Sequence, residues 1–167
     1  MISASNEFIQ KVKSGDRKWA HQLVITPPGS SSKLTVTGSD IWGNGVTYSS
    51  STSSETSFDI GGTCIGTSTF VLNNIEEKFS KYVFEGAEVV ASIGLSLDSG
   101  KKEMIQKGIY IIDSAEYSGG IITLTGYDRM SLFDRPYEED QKNPNIRAII
   151  VNACVKCGVP FNSVSLT

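Results

Sequence analysis

Short stretches in which apolar and polar side chains alternate, separated by clusters of Gly, Pro, Ser and Asn, fill most of the first 127 positions. That is the two-residue period of half-buried β-strands joined by turns. Residues 17–26 place Trp19, His21, Leu23 and Ile25 on one side and Lys18, Ala20, Gln22 and Val24 on the other. Pro27-Pro28-Gly29 breaks the strand, and Leu34-Thr35-Val36-Thr37 returns as its hairpin partner. Further strands are predicted at residues 58–60, 63–72, 87–97 and 102–112, with "EEKFSKYVFEG" as a loop before the third of these. Residues 43–57 are rich in Gly, Ser and Thr and short of large apolar groups, so they read as a mobile loop around a short strand at Val46 to Tyr48.

The stretch "GIYIIDSAEYSGGIITLTGYDRM" carries the strongest strand signal. Ile109 and Ile111 fall on one face and Tyr110 and Ile112 on the other, so this strand is apolar on both sides and belongs at the centre of a sheet or between layers. Ser118-Gly119-Gly120 is a turn whose glycines accept positive φ, and residues 121–125 pair back across it. Asp128 then caps a short helix containing Met130, Leu132 and Phe133, which Pro136 stops, with Arg129 as an exposed first-turn residue.

Two segments switch to a helical period. In residues 3–14 Ser3 or Ser5 serves as cap, Phe8, Ile9 and Val12 form a stripe, and Gly15 ends the helix. In residues 145–157 Ile146, Ile149, Ile150, Ala153, Cys154 and Cys157 line one apolar side. Such a helix needs a cover, so the chain is expected to belong to a larger protein or to self-associate. The polar run "RPYEEDQKNP" separates the two regions. The expected organisation is therefore a β domain with an N-terminal helix over residues 1–135, and a linker and helix beginning a further domain over residues 136–167. The class is mostly β (α+β), as a barrel, sandwich or curved antiparallel sheet with short flanking helices.

A net charge of −3 and a pI near 5.2 leave no basic field for a tightly bound nucleic acid. No run of about 18 apolar residues is present, so no membrane insertion is expected. Three cysteines, Cys64, Cys154 and Cys157, are an odd and small number, which fits a reducing compartment. Cys154 and Cys157 with Cys64 and His21 would make one four-ligand zinc set, but structural zinc sites bring their ligands in close pairs and only one pair exists. Gly158 and Pro160 put that pair at a helix C-terminus, where the dipole disfavours a thiolate, so the cysteines read as core residues with no metal and no functional disulfide.

Enzyme chemistry has few candidates. His21 has no paired nucleophile and reads as a structural imidazole. No phosphate loop, HExxH, GxSxG or calcium loop occurs, and Glu76-Glu77, Glu85 with Glu88, and Glu138-Glu139-Asp140 read as solvated charge. No catalytic, cofactor or metal residue is assigned.

The order of features is more telling than any single motif. "ISASNEFIQKVKSGDRKWAHQLVI", "SDIWGNGVTYSSSTSSETSFDIGGTCIGTSTFVLNN", "FEGAEVVASIGL", "KGIYIIDSAEYSGGIITLTGYDRMSLFDRPY" and "IRAIIVNACVKCGVPF" follow one another along nearly the whole chain. In this order they resemble the N-terminal part of tail-hub proteins of long-tailed phages and prophages, a baseplate-hub-like group that includes tail-associated lysins and prophage tail endopeptidase-like proteins. The resemblance implies a tail-tube-like β-barrel in a trimeric ring that continues the tail tube and connects it to the host-recognition apparatus. The distal tail protein and the tape measure protein would be its partners, and DNA would pass without specific binding. Any lytic domain would lie further towards the C-terminus, and the protein would be made in the bacterial host cytoplasm and end in the virion tail. Side chains facing the channel would be small, polar or acidic, with Ile109, Ile111 and Leu124 packed away from it. The alternatives are a carbohydrate-binding β-sandwich, for which Trp19 and Trp42 form no evident aromatic row, and a non-catalytic part of a cell-wall hydrolase.

Overall fold

The computed structural model of the chain describes residues 4–50, 65–136, 138 and 145–160. Its elements are α1 (Asn6–Lys13), β1 (Trp19–Thr26), β2 (Leu34–Thr37), β3 (Ile41–Ser49), β4 (Thr67–Asn73), β5 (Glu88–Ser96), β6 (Lys102–Ser118), β7 (Ile121–Asp128) and α2 (Ile146–Cys157), with 3-10 turns at Gly38–Asp40 and Arg129–Phe133. The strand expected at 58–60, the first positions of the one at 63–72, and Cys64 lie outside the described residues.

The strands form one antiparallel sheet in the order β2-β1-β5-β6-β7-β4-β3. Its two edges, β2 and β3, are consecutive in the chain and separated only by Gly38–Asp40. In a flat sheet six spacings of about 4.8 Å would hold these edges about 29 Å apart, yet the chain from Thr37 to Ile41 reaches at most about 14 Å. The sheet must therefore roll until its edges nearly meet. No ladder joins β2 to β3, so the roll stops short of closure. The mostly β class and the curved antiparallel sheet with short flanking helices are thus observed, and the closed barrel is not.

The inner face of the roll carries the main core: Leu23, Ile25, Val36, Phe70, Leu72, Val89, Ile112, Ile122 and Leu124 are all essentially inaccessible to solvent. Residues 74–86, a loop by sequence, close one end of it with Phe79 and Phe84 fully buried. Asn74 holds that plug: its Oδ1 accepts from the Phe79 N–H at 2.8 Å and its Nδ2 donates to Ser80 Oγ at 3.0 Å.

Curvature is concentrated in β6. Its register skips Lys107 against β5 and Asp113 against β7. Each skipped residue is a bulge that bends the strand and exchanges which side chains face inward. Ile105 thus faces the same side as Tyr110 and Ile112, and again as Ala115. A strict two-residue period would place Ile105 and Ala115 on the face opposite Tyr110 and Ile112. Tyr110 and Ile112 lie in the core, while Ile109 and Ile111 are half-buried on the outer face. Leu124 lies in the core on the same side as Tyr110 and Ile112. The β6–β7 turn is as expected, with Gly119 at φ 57° and Gly120 at φ 79°. Both values belong to the two-residue hairpin turn that only residues tolerant of the left-handed region form readily.

β3 contains the short strand expected at Val46 to Tyr48 and extends it over residues read as loop, while residues 51–57 of that reading lie outside the described residues. It is a nine-residue edge strand, paired at Ile41 with Leu72 and from Val46 to Ser49 with β4, and Trp42 to Gly45 bulge out between. Hydrogen bonding to β4 makes a strand of a segment whose side chains do little to demand one.

The helix α1 lies at the end of β5, where Phe8 packs with Leu95 and Leu97 in a small second core. Ser5 caps it, accepting from the Phe8 N–H at 3.1 Å, and Ser5 N–H and Oγ both donate to the Glu103 carboxylate. Glu7 accepts from Ser99 N–H at 2.9 Å and from its hydroxyl. Lys11 is buried and donates to Asp98 at 2.6 Å and to Asp16 at 3.1 Å. Ile9, expected in the apolar stripe, is exposed, because the helix turns Lys11 rather than Ile9 towards the sheet.

Candidate functional site

Among the described residues the roll leaves several recesses of similar size, and one of them, a cleft at its seam, borders an unpaired strand edge. β5 accompanies β1 from Trp19 to Thr26, but β2 covers only Gln22 to Ile25. Trp19, Ala20 and His21 therefore have a strand partner on one side alone. Beyond Gln22 the chain leaves β2 through the Gly38–Asp40 turn into β3, and Ile41 comes to stand across from the bare edge. The space between measures about 440 Å³ and is lined by Trp19, His21, Gln22, Ile41, Lys102 and Met104, among others.

Its chemistry is mixed and weakly charged. Trp19 is 50% exposed and offers an open indole face. His21 is half-buried and its Nδ1 has no hydrogen-bond partner. Burial pushes the imidazole pKa down, so His21 is neutral at physiological pH. Among the described residues of the lining, Lys102 is then the one that carries charge. Among the described residues no carboxylate or hydroxyl is paired with His21 Nδ1.

Of the residues that sequence reasoning singled out, Trp19 and His21 line the cleft, while Asp128, Arg129, Cys154 and Cys157 lie elsewhere. Asp128 has the structural role expected of it: Oδ1 accepts from Met130 N–H at 3.0 Å, and Oδ2 accepts from Gly66 N–H at 3.0 Å. That carboxylate ties β7, the following turn and the approach to β4 together. Arg129 is not simply exposed, since it donates to Glu88 at 2.6 Å across the outer face. Long-range pairing of β5 with β6 and β6 with β7 brings these two residues together, which no local pattern reveals. Cys154 is buried and Cys157 half-buried, both as free thiols in the last turn of α2. Gly158, at φ 67°, ends that helix and donates to the Cys154 and Val155 carbonyls. Among the described residues no three His, Cys, Asp or Glu side chains converge as a metal site would require.

Tyr48 escaped notice altogether. Its ring stacks on Tyr110 with centroids 5.8 Å apart, and its hydroxyl is buried without a partner. Burial, with a smaller contribution from Tyr110, pushes its pKa up to about 12. It serves as an aromatic of the core with no accessible proton chemistry. Trp19 and His21 were visible in the sequence but their meeting in one cleft was not, since it depends on β1 being longer than β2 and on the roll that brings β3 opposite. Comparison with protein-family models gives no match for this chain, and comparison with curated proteins gives none.

Proposed function

We propose that this chain is a structural component of a phage or prophage tail tip, contributing to a hub ring that continues the tail tube towards the host-recognition apparatus. The observation that carries the reading is the order of features along the sequence, from "ISASNEF" through "GYDRM" to "IRAIIVNACVKCGVPF". A rolled antiparallel sheet with a helix at each end suits such a wall, because the sheet supplies a stiff curved surface and the helices supply contacts beyond it. In this role the chain acts by assembly. It would form a trimer, meet the distal tail protein and the tape measure protein, let DNA pass without gripping phosphates, and reside in the virion tail. Its net charge of −3 suits passage, since each Lys or Arg contact to a phosphate adds salt-sensitive affinity.

Electron microscopy of the full-length protein is the decisive experiment. The expected image is a ring of three copies with this sheet in the wall of a central channel. A monomer without a channel, submicromolar DNA affinity at physiological salt, or cleavage of purified cell walls by this chain alone would overturn the proposal.

A further inference from the structure

We infer that the seam cleft is a docking site for an extended, acidic polypeptide segment of a separate protein, which adds to the bare edge of β1 as a short strand. This inference is independent of the tail-tip reading.

The first argument is the backbone. A strand edge presents a row of N–H and C=O groups that pair readily with another chain. Elsewhere the sheet blunts its edges: β2 is only four residues long and β3 is bulged from Trp42 to Gly45. Trp19 to His21 are in regular register with Leu95 to Ile93 of β5, and no described residue pairs with their other side. This three-residue edge spans about 10 Å. The second argument is the lining. Side chains of an added strand alternate, so one set would lie beside Trp19 and Ile41 and the other, across the sheet, beside Met104 and Lys102. A volume of about 440 Å³ falls within the range of about 300–1,000 Å³ found for specific sites.

Charge selects the segment. Among the described residues of the lining Lys102 is the one ion, and Lys18 and Lys101 flank the cleft in sequence. The nearest acidic groups along β6 and the turn before it, Glu103 and Asp98, are already bonded to Ser5 and Lys11 of the α1 region. In a chain of net charge −3 the cleft is thus a local cationic spot, complementary to an acidic strand. A second copy cannot offer its own matching edge, because that edge lies inside the same recess and a two-fold contact requires self-complementary surfaces. The occupant must be a narrow, protruding segment.

The probes are capped heptapeptides alternating Val with Glu, titrated into the full chain bearing Trp42→Phe so that Trp19 is the sole tryptophan reporter. Saturable quenching or enhancement of Trp19 fluorescence is expected, with amide shifts at residues 19–21. N-methylation of one set of alternate peptide amides should weaken binding by about tenfold, and of the other set by much less. Lys102→Glu, an exposed substitution, should weaken the Val/Glu peptide and strengthen a Val/Lys peptide. Absence of a saturable response to any peptide overturns the proposal, as does indifference to methylation or to Lys102→Glu. Saturation of Trp19 by chitotriose in place of the peptides would assign the cleft to a carbohydrate, and concentration-dependent shifts at residues 19–21 without peptide would assign it to a second copy.

Discussion

The two helices differ in a way that separates hydrophobicity from docking. α1 is the less apolar of the two, yet it is fastened: Phe8, 8% exposed, packs with Leu95 and Leu97, and Ser5, Glu7 and Lys11 each engage a partner on the β5–β6 arm. α2 is richer in apolar side chains but buries only Cys154 among them, resting chiefly against the Arg129–Phe133 turn. Ile146 remains 77% exposed and Val155 72% exposed. Nine residues, or about two and a half turns, separate these two, so they point to opposite sides and no single contact can cover both. A helix docks on the strength of where its side chains fall and what faces them, and total apolar content does not substitute for that.

The comparison is broken most forcefully at Phe8. Phe8→Ala is expected to cost about 3 kcal/mol, as a large-to-small change in a core, limited by the free energy of α1 docking itself. Urea denaturation reads the loss, and hydrogen exchange should show α1 amides deprotected while β6 stays protected. Global unfolding with uniform loss of protection would show that the second core is continuous with the first.

Acid should reach a similar end by another route. The Ser5 hydroxyl, with its N–H, holds the Glu103 carboxyl below the usual range, and the Ser14 hydroxyl and then Lys11 do the same for Asp16. Depressed carboxylate pKa values stabilise the fold above about pH 4, and the contribution is lost as pH falls through the lowered values. Lys11 behaves oppositely. Hydrogen bonds to Asp98 and then Asp16 raise its pKa, so its contribution persists through acid and neutral pH and is lost only above about pH 10.4. α1 should therefore release below about pH 4 while α2 is unaffected, and an α1 whose amide shifts do not move between pH 6 and pH 3 would contradict the carboxylate clamps.

Caps are expected to matter less, at about 1 kcal/mol each. Ser5→Ala removes the acceptor for Phe8 N–H, and Gly158→Ala forces a Cβ into the left-handed region at the end of α2. Ser5→Ala should loosen α1 in hydrogen exchange while β6 stays protected, whereas Gly158→Ala should fray α2 in circular dichroism and leave the main transition in place. At the small end, Ile146→Ser with Val155→Ser should change stability by no more than about 0.5 kcal/mol in dilute solution. A larger loss there, growing with protein concentration, would reveal that a second copy covers α2.

Local signals in the sequence carried far. The Ser118-Gly119-Gly120 turn, the Asp128 cap, the Asn145 to Cys157 helix and the pairing of β1 with β2 depend on residues close in sequence, and all were legible. Asn145, at the start of that helix, accepts from Ala148 N–H at 2.8 Å as a cap should. What failed had distant causes. β3 extends over Ile41–Ser49 because β4 pairs with it, Arg129 is held by Glu88, and Lys11 is drawn inward by Asp98, 87 positions away. None of these partners is marked by a spacing along the chain.

Taken alone, the sequence determined much of the strand and turn order, the mostly β class and the positions of the caps, because each follows from propensity and period over a few residues. Only the tertiary structure decided that the sheet rolls without closing, that Phe79 and Phe84 plug its end, and that the bare edge of β1 faces Ile41 across a cleft. The physical reason is that hydrogen-bond partners across a sheet are chosen by register and curvature. Bulges at Lys107 and Asp113 and a three-residue link between the two edge strands set both, and their effect is felt far from the residues that cause it.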